Sequence, residues 1–227
     1  SLGPGPDEGH SGHSKRSMAA DMIAVMAELG FETLNLAGHD RGARVAYRLT
    51  LDHPERVRKL ASLDVAPTLA TWEGMDMAGY LNSYHWPFLA QPAPLPERLI
   101  GNDPDFYLDH LLTRWAGRPG KLAAEAVSAY QRAMRKPTVI QAMAEDYRAG
   151  ASIDLDDDAA DDALKIRCPL QVLWGANGVI GSNFDVLDCW RRYASGPVSG
   201  EGLDAGHFMA EEQPDRVLAL LRDFLAG

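Results

Sequence analysis

The sequence predicts an α/β protein, a mostly parallel sheet flanked by helices and interrupted by an all-helical insertion. Three observations carry this expectation. Residues 31–65 read strand, helix, strand with short connections, which is the pattern of a parallel βαβ unit. Over residues 67–162 strand patterns vanish, and helical segments alternate with Pro-rich loops such as WPFLAQPAPLPERL. Beyond residue 162 a buried strand and amphipathic helices return. The expected organisation is therefore core over residues 1–67, helical cap over 68–162, and core again over 163–227.

The elements follow in order. The chain opens on SLGPGPDEGHSGHSKRS, an open Gly/Pro/Ser-rich loop holding His10 and His13. Domains rarely start this way, so the start reads as a cut made inside a longer protein. Residues 15–29 place Met18, Met22, Val25, Met26 and Leu29 on one helical face, and Gly30 stops that helix. FETLNLAG reads as a strand, ARVAYRLTLDHP as a helix ended by Pro54, and VRKLASLDV as a second strand. At the end of the insertion the acidic run DLDDDAADD reads as a solvated linker. CPLQVLWGA is a buried strand, SNFDVLDCWRRYA a helix, and EEQPDRVLALLRDFLAG a final amphipathic helix. No internal repeat is visible.

Composition narrows the function classes. The 227 residues are 46% hydrophobic and carry a net charge of −10, which disfavours nucleic acid and anionic membranes as partners. No run is long enough to span a bilayer. Cys168 and Cys189 lack metal-type spacing and read as reduced residues of a cytoplasmic protein. Neither a metal nor a cofactor is expected.

Ligands of open parallel sheets bind beyond the carboxyl ends of the strands. Asp40, Asp64, the 175–181 loop and His207 stand there. Gly38-His39-Asp40-Arg41-Gly42 lies between a strand and a helix, where the small-x-nucleophile-x-small elbow pushes its central side chain out over the sheet. An Asp in that place suits displacement at a saturated carbon bearing a leaving group. The resulting ester has its carbonyl on the enzyme, where water can attack it.

That water needs a base. His207, in AGHF before the last helix, is the candidate; His53 sits at a helix end, and His39 is expected to point away from Asp40. The loop after LWG has no carboxylate to orient the base, so Asp64 is expected to do so. A buried acid at a strand end needs such a partner. Arg41 and Arg44, beside and one turn beyond Asp40, suit a substrate carboxylate. From the cap, His85, Trp86 and Tyr147 offer hydrogen-bond donors, as a departing halide requires.

GHDRGARVAYRLTLDHPERVRKLASLDVAPT, SYHWPFLAQPAPLPE, GNDPDFY, EDYRAGA and LWGANG together resemble the fluoroacetate (haloacetate) dehalogenase family of the α/β-hydrolase superfamily. The resemblance implies an α/β-hydrolase fold with a cap, and hydrolysis of a small haloacid through an Asp40 ester with His207 as base and Asp64 as its acid. It implies that Arg41 and Arg44 bind the substrate carboxylate, that His85, Trp86 and Tyr147 hold the halide, and that Trp115 lines the pocket. Relatives also suggest a homodimer through the cap. The family carries upstream strands and a His-Gly loop that helps form the oxyanion hole. Without that loop, one lost donor would cost about a hundred- to a thousandfold in rate. Two alternatives stay open: an epoxide hydrolase with the same Asp chemistry, and a non-catalytic binding protein on this scaffold.

Overall fold

A computed structural model describes residue 7, residues 9–117 and residues 122–226. Of the predicted opening loop, residues 1–6 and 8 lie outside the described residues. The sheet has four parallel strands in sequence order: β1 (Leu34–His39), β2 (Val57–Leu63), β3 (Leu170–Gly175) and β4 (Val198–Leu203). Helix α1 (Lys15–Glu28) precedes β1, and α2 (Arg41–Asp52) connects β1 to β2. Between β2 and β3 run α3 (Thr68–Gly74), α4 (Met77–Asn82), α5 (His85–Leu89), α6 (Leu95–Asn102), α7 (Pro104–Trp115), α8 (Ala124–Met134), α9 (Pro137–Gly150) and α10 (Ile153–Ala160). Then α11 (Val179–Asn183) and α12 (Val186–Tyr193) join β3 to β4, and α13 (Met209–Glu212) and α14 (Pro214–Ala226) end the fold. Among the described residues no helix is long and apolar enough to cross a membrane.

The centre of the sheet is covered on both faces, which is why β3 and the end of β2 read as nearly continuous apolar runs, while β1 and β4 keep exposed positions. Side chains alternate between the faces. Leu60, Leu170 and Val172 pack with Tyr47 and Trp190 on one side, while Ala61, Leu63 and Leu173 pack with Val217 on the other. Trp190 donates from its indole to the Val65 carbonyl at 3.0 Å, tying α12 to the end of β2. The cap has a core of its own, built on Trp86, Leu89, Ile100, Leu108, Leu111, Ile140 and Tyr147.

Four features differ from the sequence expectation. The predicted apolar face of α1 is not the packed one: Met22, Val25 and Leu29 are exposed, and Ala19 with Ile23 meets Leu49 and Val57 instead. The acidic run is no solvated linker. It forms α10, whose Asp158 is buried and accepts from the Tyr47 hydroxyl at 2.8 Å, while Asp157 and Asp161 pair with Arg16. Runs of like charge become structural when opposite charges from distant segments meet them, and here α1 and α2 supply those charges. The segment around His10 and His13 is ordered, with His13 buried and His10 Nδ1 2.7 Å from Glu145 Oε2. β4 has no signal in the sequence because VSGEGL is poor in β-branched and aromatic residues. Cys168 and Cys189 are both free, as expected, and burial pushes both thiols up.

Candidate active site

The turn from β1 into α2 fixes the centre of the site. Asp40 has φ 50° and ψ −124°, a strained conformation for a non-glycine residue. The turn is held by the Asp40 amide on the Leu63 carbonyl at 3.2 Å and by the Asp40 carbonyl accepting from the Ala43 and Arg44 amides. Gly38 is required sterically, since a Cβ there would lie 2.6 Å from the Gly42 carbonyl oxygen and 2.7 Å from Ala43 Cα. Gly42 has open space where a Cβ would stand, so only the first of the two predicted glycines is dictated by packing. The result puts the Asp40 carboxylate into a cavity of about 230 Å³ under the cap, shared with Asp64, His207, Arg44, His85, Trp86, Trp115 and Tyr147.

His207 and its loop are held from several sides. Its Nδ1 is 2.7 Å from Asp64 Oδ2, and Asp64 Oδ1 accepts the Gly175 amide at 2.8 Å. The His207 Nε2 faces Asp40 Oδ2 at 3.7 Å, an electrostatic contact too long for a hydrogen bond. The His207 amide donates to the Trp115 carbonyl at 2.8 Å, which locks the cap to this loop. Glu212 Oε1 accepts the Gly206 amide at 3.0 Å. His39 stays out of the cavity lining and braces the base loop instead: its Nε2 lies 2.8 Å from the His207 carbonyl, and the two rings are 4.5 Å apart. Sequence reasoning missed this because the elbow motif describes only the central residue.

The loop leaves no room for a side chain at Gly206. A Cβ there would come within 2.1 Å of the Gly117 amide nitrogen and 2.3 Å of the Trp115 carbonyl oxygen. Gly206→Ala is expected to lower stability by about 1–3 kcal/mol and to displace His207. A thermal melt and an activity assay check this; an unchanged melting temperature would show that the cap and base loop can move apart freely.

Burial and charge set the protonation states. Burial alone would lower the His207 imidazole, but Asp40 and Asp64 outweigh it and hold it up to about 10. Burial would raise the Asp40 carboxyl, but His207, with smaller contributions from His39 and Arg41, holds it well below the usual carboxylate range. His85 is pushed down to about 3, chiefly by burial, and stays neutral. Burial, with the Asp40 charge, pushes the Tyr147 hydroxyl up, so it remains a donor.

The two arginines separate in role. Arg44 is 1% exposed and lines the cavity. It donates only to the hydroxyls of Thr68 at 3.3 Å and Thr71 at 3.2 Å, and stands over the Trp86 ring at 4.5 Å. Its Nε is buried without a partner, and no described carboxylate pairs with it. Arg41 is not part of the cavity lining. Its guanidinium stacks over Tyr147 at 4.3 Å and binds Asp146 through Nε to the carboxylate and through Nη2 to the carbonyl at 2.7 Å. Its Nη1 is buried without a partner.

Across the cavity from α2, the cap presents His85 and Tyr147 with ring centroids 5.5 Å apart, and Trp86 5.8 Å from Tyr147. The Trp86 indole N–H and the Tyr147 hydroxyl have no hydrogen-bond partner among the described residues, and His85 Nδ1 is buried without one. Trp115 packs 4.5 Å from His85 and 5.6 Å from His207. The predicted site residues thus converge, Arg41 at one remove. Arg114 and Asn82, joined at 2.6 Å, also line the cavity and were not foreseen.

A carboxylate on a strained turn, faced by an imidazole that a second carboxylate orients, is an arrangement able to support hydrolysis through a covalent intermediate. Residues 1–214 match the model of the alpha/beta hydrolase fold family. The chain is 38% identical over 225 residues to the fluoroacetate dehalogenase of a Burkholderia species, spanning 96% of this chain and 71% of that protein. It is 28% identical to the soluble epoxide hydrolase of Corynebacterium sp. strain C12, over 95% of this chain and 75% of that one. A solved structure from Nostoc sp. PCC 7120, provisionally described as an α/β hydrolase, is 47% identical with a TM-score of 0.95, covering 98% of this chain and 76% of that one. The chain is an α/β hydrolase and belongs to the haloacetate dehalogenase-like branch of that family.

Proposed function

We propose that this hydrolase removes halide from small haloacids, fluoroacetate or chloroacetate giving glycolate. The observation that carries the reading is Arg44, a buried guanidinium lining the cavity with no described carboxylate bonded to it. An unpaired buried charge is costly, and an anionic substrate relieves that cost. An alkyl halide or epoxide would bring no such compensation.

In the first step an Asp40 oxygen attacks the carbon bearing the halogen. The C–O bond forms as the C–X bond breaks, and the halide leaves with the electron pair toward His85, Trp86 and Tyr147. A halide needs donors and no proton, and these three groups offer unspent N–H and O–H bonds. In the second step His207 takes a proton from water as its oxygen adds to the Asp40 ester carbonyl; the acyl C–O bond then breaks, the proton left on the new Asp40 carboxyl passes to the departing alkoxide, and glycolate leaves. The net reaction consumes haloacid and water and yields glycolate, halide and a proton. Asp64 holds the imidazole in the tautomer that presents Nε2 to the water.

Halide release from fluoroacetate and chloroacetate, measured beside diol formation from styrene oxide, tests the reading. Halide without diol is the expected result, and diol without halide would make Tyr147 an epoxide-opening acid instead. Arg44→Met is expected to cost about a hundredfold or more in kcat/KM on haloacids, since it removes charge-assisted bonds to the carboxylate. Equal turnover of haloacids by that variant would refute the anion-binding role.

A further inference from the structure

Lys15, the first residue of α1, is 1% exposed and lies beside the site from behind. Its Nζ is 2.5 Å from Asp146 Oδ1 and 3.3 Å from Asp154 Oδ2, and its amide donates to Asp154 Oδ1 at 2.8 Å. The other Asp146 oxygen is taken by Arg41. On α9 the next residue is Tyr147, which faces the cavity. The adjoining groups bond among themselves: Arg148 binds Glu145 at 2.6 Å and Glu97 at 2.7 Å, and His10 meets Glu145. Three cations, Lys15, Arg41 and Arg44, are therefore set against Asp146 and Asp154 behind the site and Asp40 within it.

We infer that Lys15 is a positioning residue for anion recognition: by sharing the Asp146 carboxylate with Arg41, it leaves the Arg41 guanidinium charge to give to the substrate. A carboxylate held by two cations fully neutralises neither. Without Lys15, Asp146 would belong to Arg41 alone, and the cluster would lose one unit of positive charge. Arg41 Nη1, buried without a partner, is the group that this surplus serves. Asp146 fixes the guanidinium plane against Tyr147, so orientation and charge are set by the same shared carboxylate.

The inference rests on the haloacid reading, and its test separates the two. In a His207→Asn background, ester formation on Asp40 is followed by the mass of the Asp40 peptide, with chloroacetate and with its neutral isostere chloroacetamide. Lys15→Met is expected to raise the chloroacetate concentration for half-saturation about tenfold or more, a unit charge acting across a buried site, and to leave chloroacetamide unmoved. Asp154→Asn, which keeps an oxygen for the Lys15 amide, shifts chloroacetate the opposite way. Lys15→Met with Asp154→Asn restores the charge balance and returns chloroacetate to the parent value. If both substrates shift together, or the double variant fails to recover, Lys15 is only structural and the inference is overturned. Should Lys15→Met alone fail to fold, the other two variants decide by the same order. A parent that forms no chloroacetate ester defeats the haloacid reading, and the inference with it.

Discussion

Asp40→Asn is expected to eliminate the proposed turnover of haloacids, a loss of at least about ten-thousandfold, by analogy with removing the nucleophile of other covalent hydrolases. The amide oxygen is a far poorer nucleophile than a carboxylate, and no other carboxylate can reach the same carbon, since Asp64 is 2% exposed and spends both oxygens on His207 and Gly175. Folding should survive, because Asn tolerates the positive φ of the elbow. A second readout accompanies the first. The Asp40 charge helps hold the His207 imidazole up at about 10, so its removal lowers that pKa, which an imidazole titration by NMR detects. Halide release is measured early, with the protein mass checked for deamidation back to Asp. Full activity with the Asn mass intact would remove Asp40 from the mechanism.

The parts of this site that were legible in the sequence are those whose signal is local. The elbow carries its whole geometry within a few residues, and Gly38 alone makes the close approach between β1 and α2 possible. His207 could be placed because the fold order puts it after the last strand, even though β4 itself was not recognised. Asp64 came by elimination, and its burial supplies the physical reason: a carboxylate at 2% exposure requires partners. What stayed hidden depends on pairs far apart in the chain. Lys15 meets Asp154 across 139 residues, and Arg16 meets Asp157 across 141. No periodicity can tell an acidic run that is solvated from one that is paired in this way. The difference between Arg41 and Arg44 was equally invisible, because it is set by Asp146, which takes one guanidinium and leaves the other.

His207→Asn separates the two chemical steps. It is expected to release halide once, stoichiometrically with enzyme, and then stop with Asp40 alkylated. The first step needs no base: Asp40 is ionised well below neutral pH, and the halide leaves without a proton. In the resting site His207 is itself charged, held up to about 10 by the two carboxylates, and cannot act as a base. Alkylation changes that. The ester carries no charge, so the Asp40 contribution disappears, the imidazole pKa falls, and the proton can leave. In the proposed mechanism the nucleophile's own reaction therefore switches the base on. Two pH profiles follow for the unaltered enzyme. The halide burst should be flat through neutral pH, while the hydrolytic step should rise with pH as His207 in the ester form loses its proton. Rapid-quench halide measurement gives the first and steady-state turnover the second, if hydrolysis limits. Steady turnover by His207→Asn would assign the base elsewhere. A burst that follows the pH dependence of hydrolysis would mean that His207 acts before the ester forms.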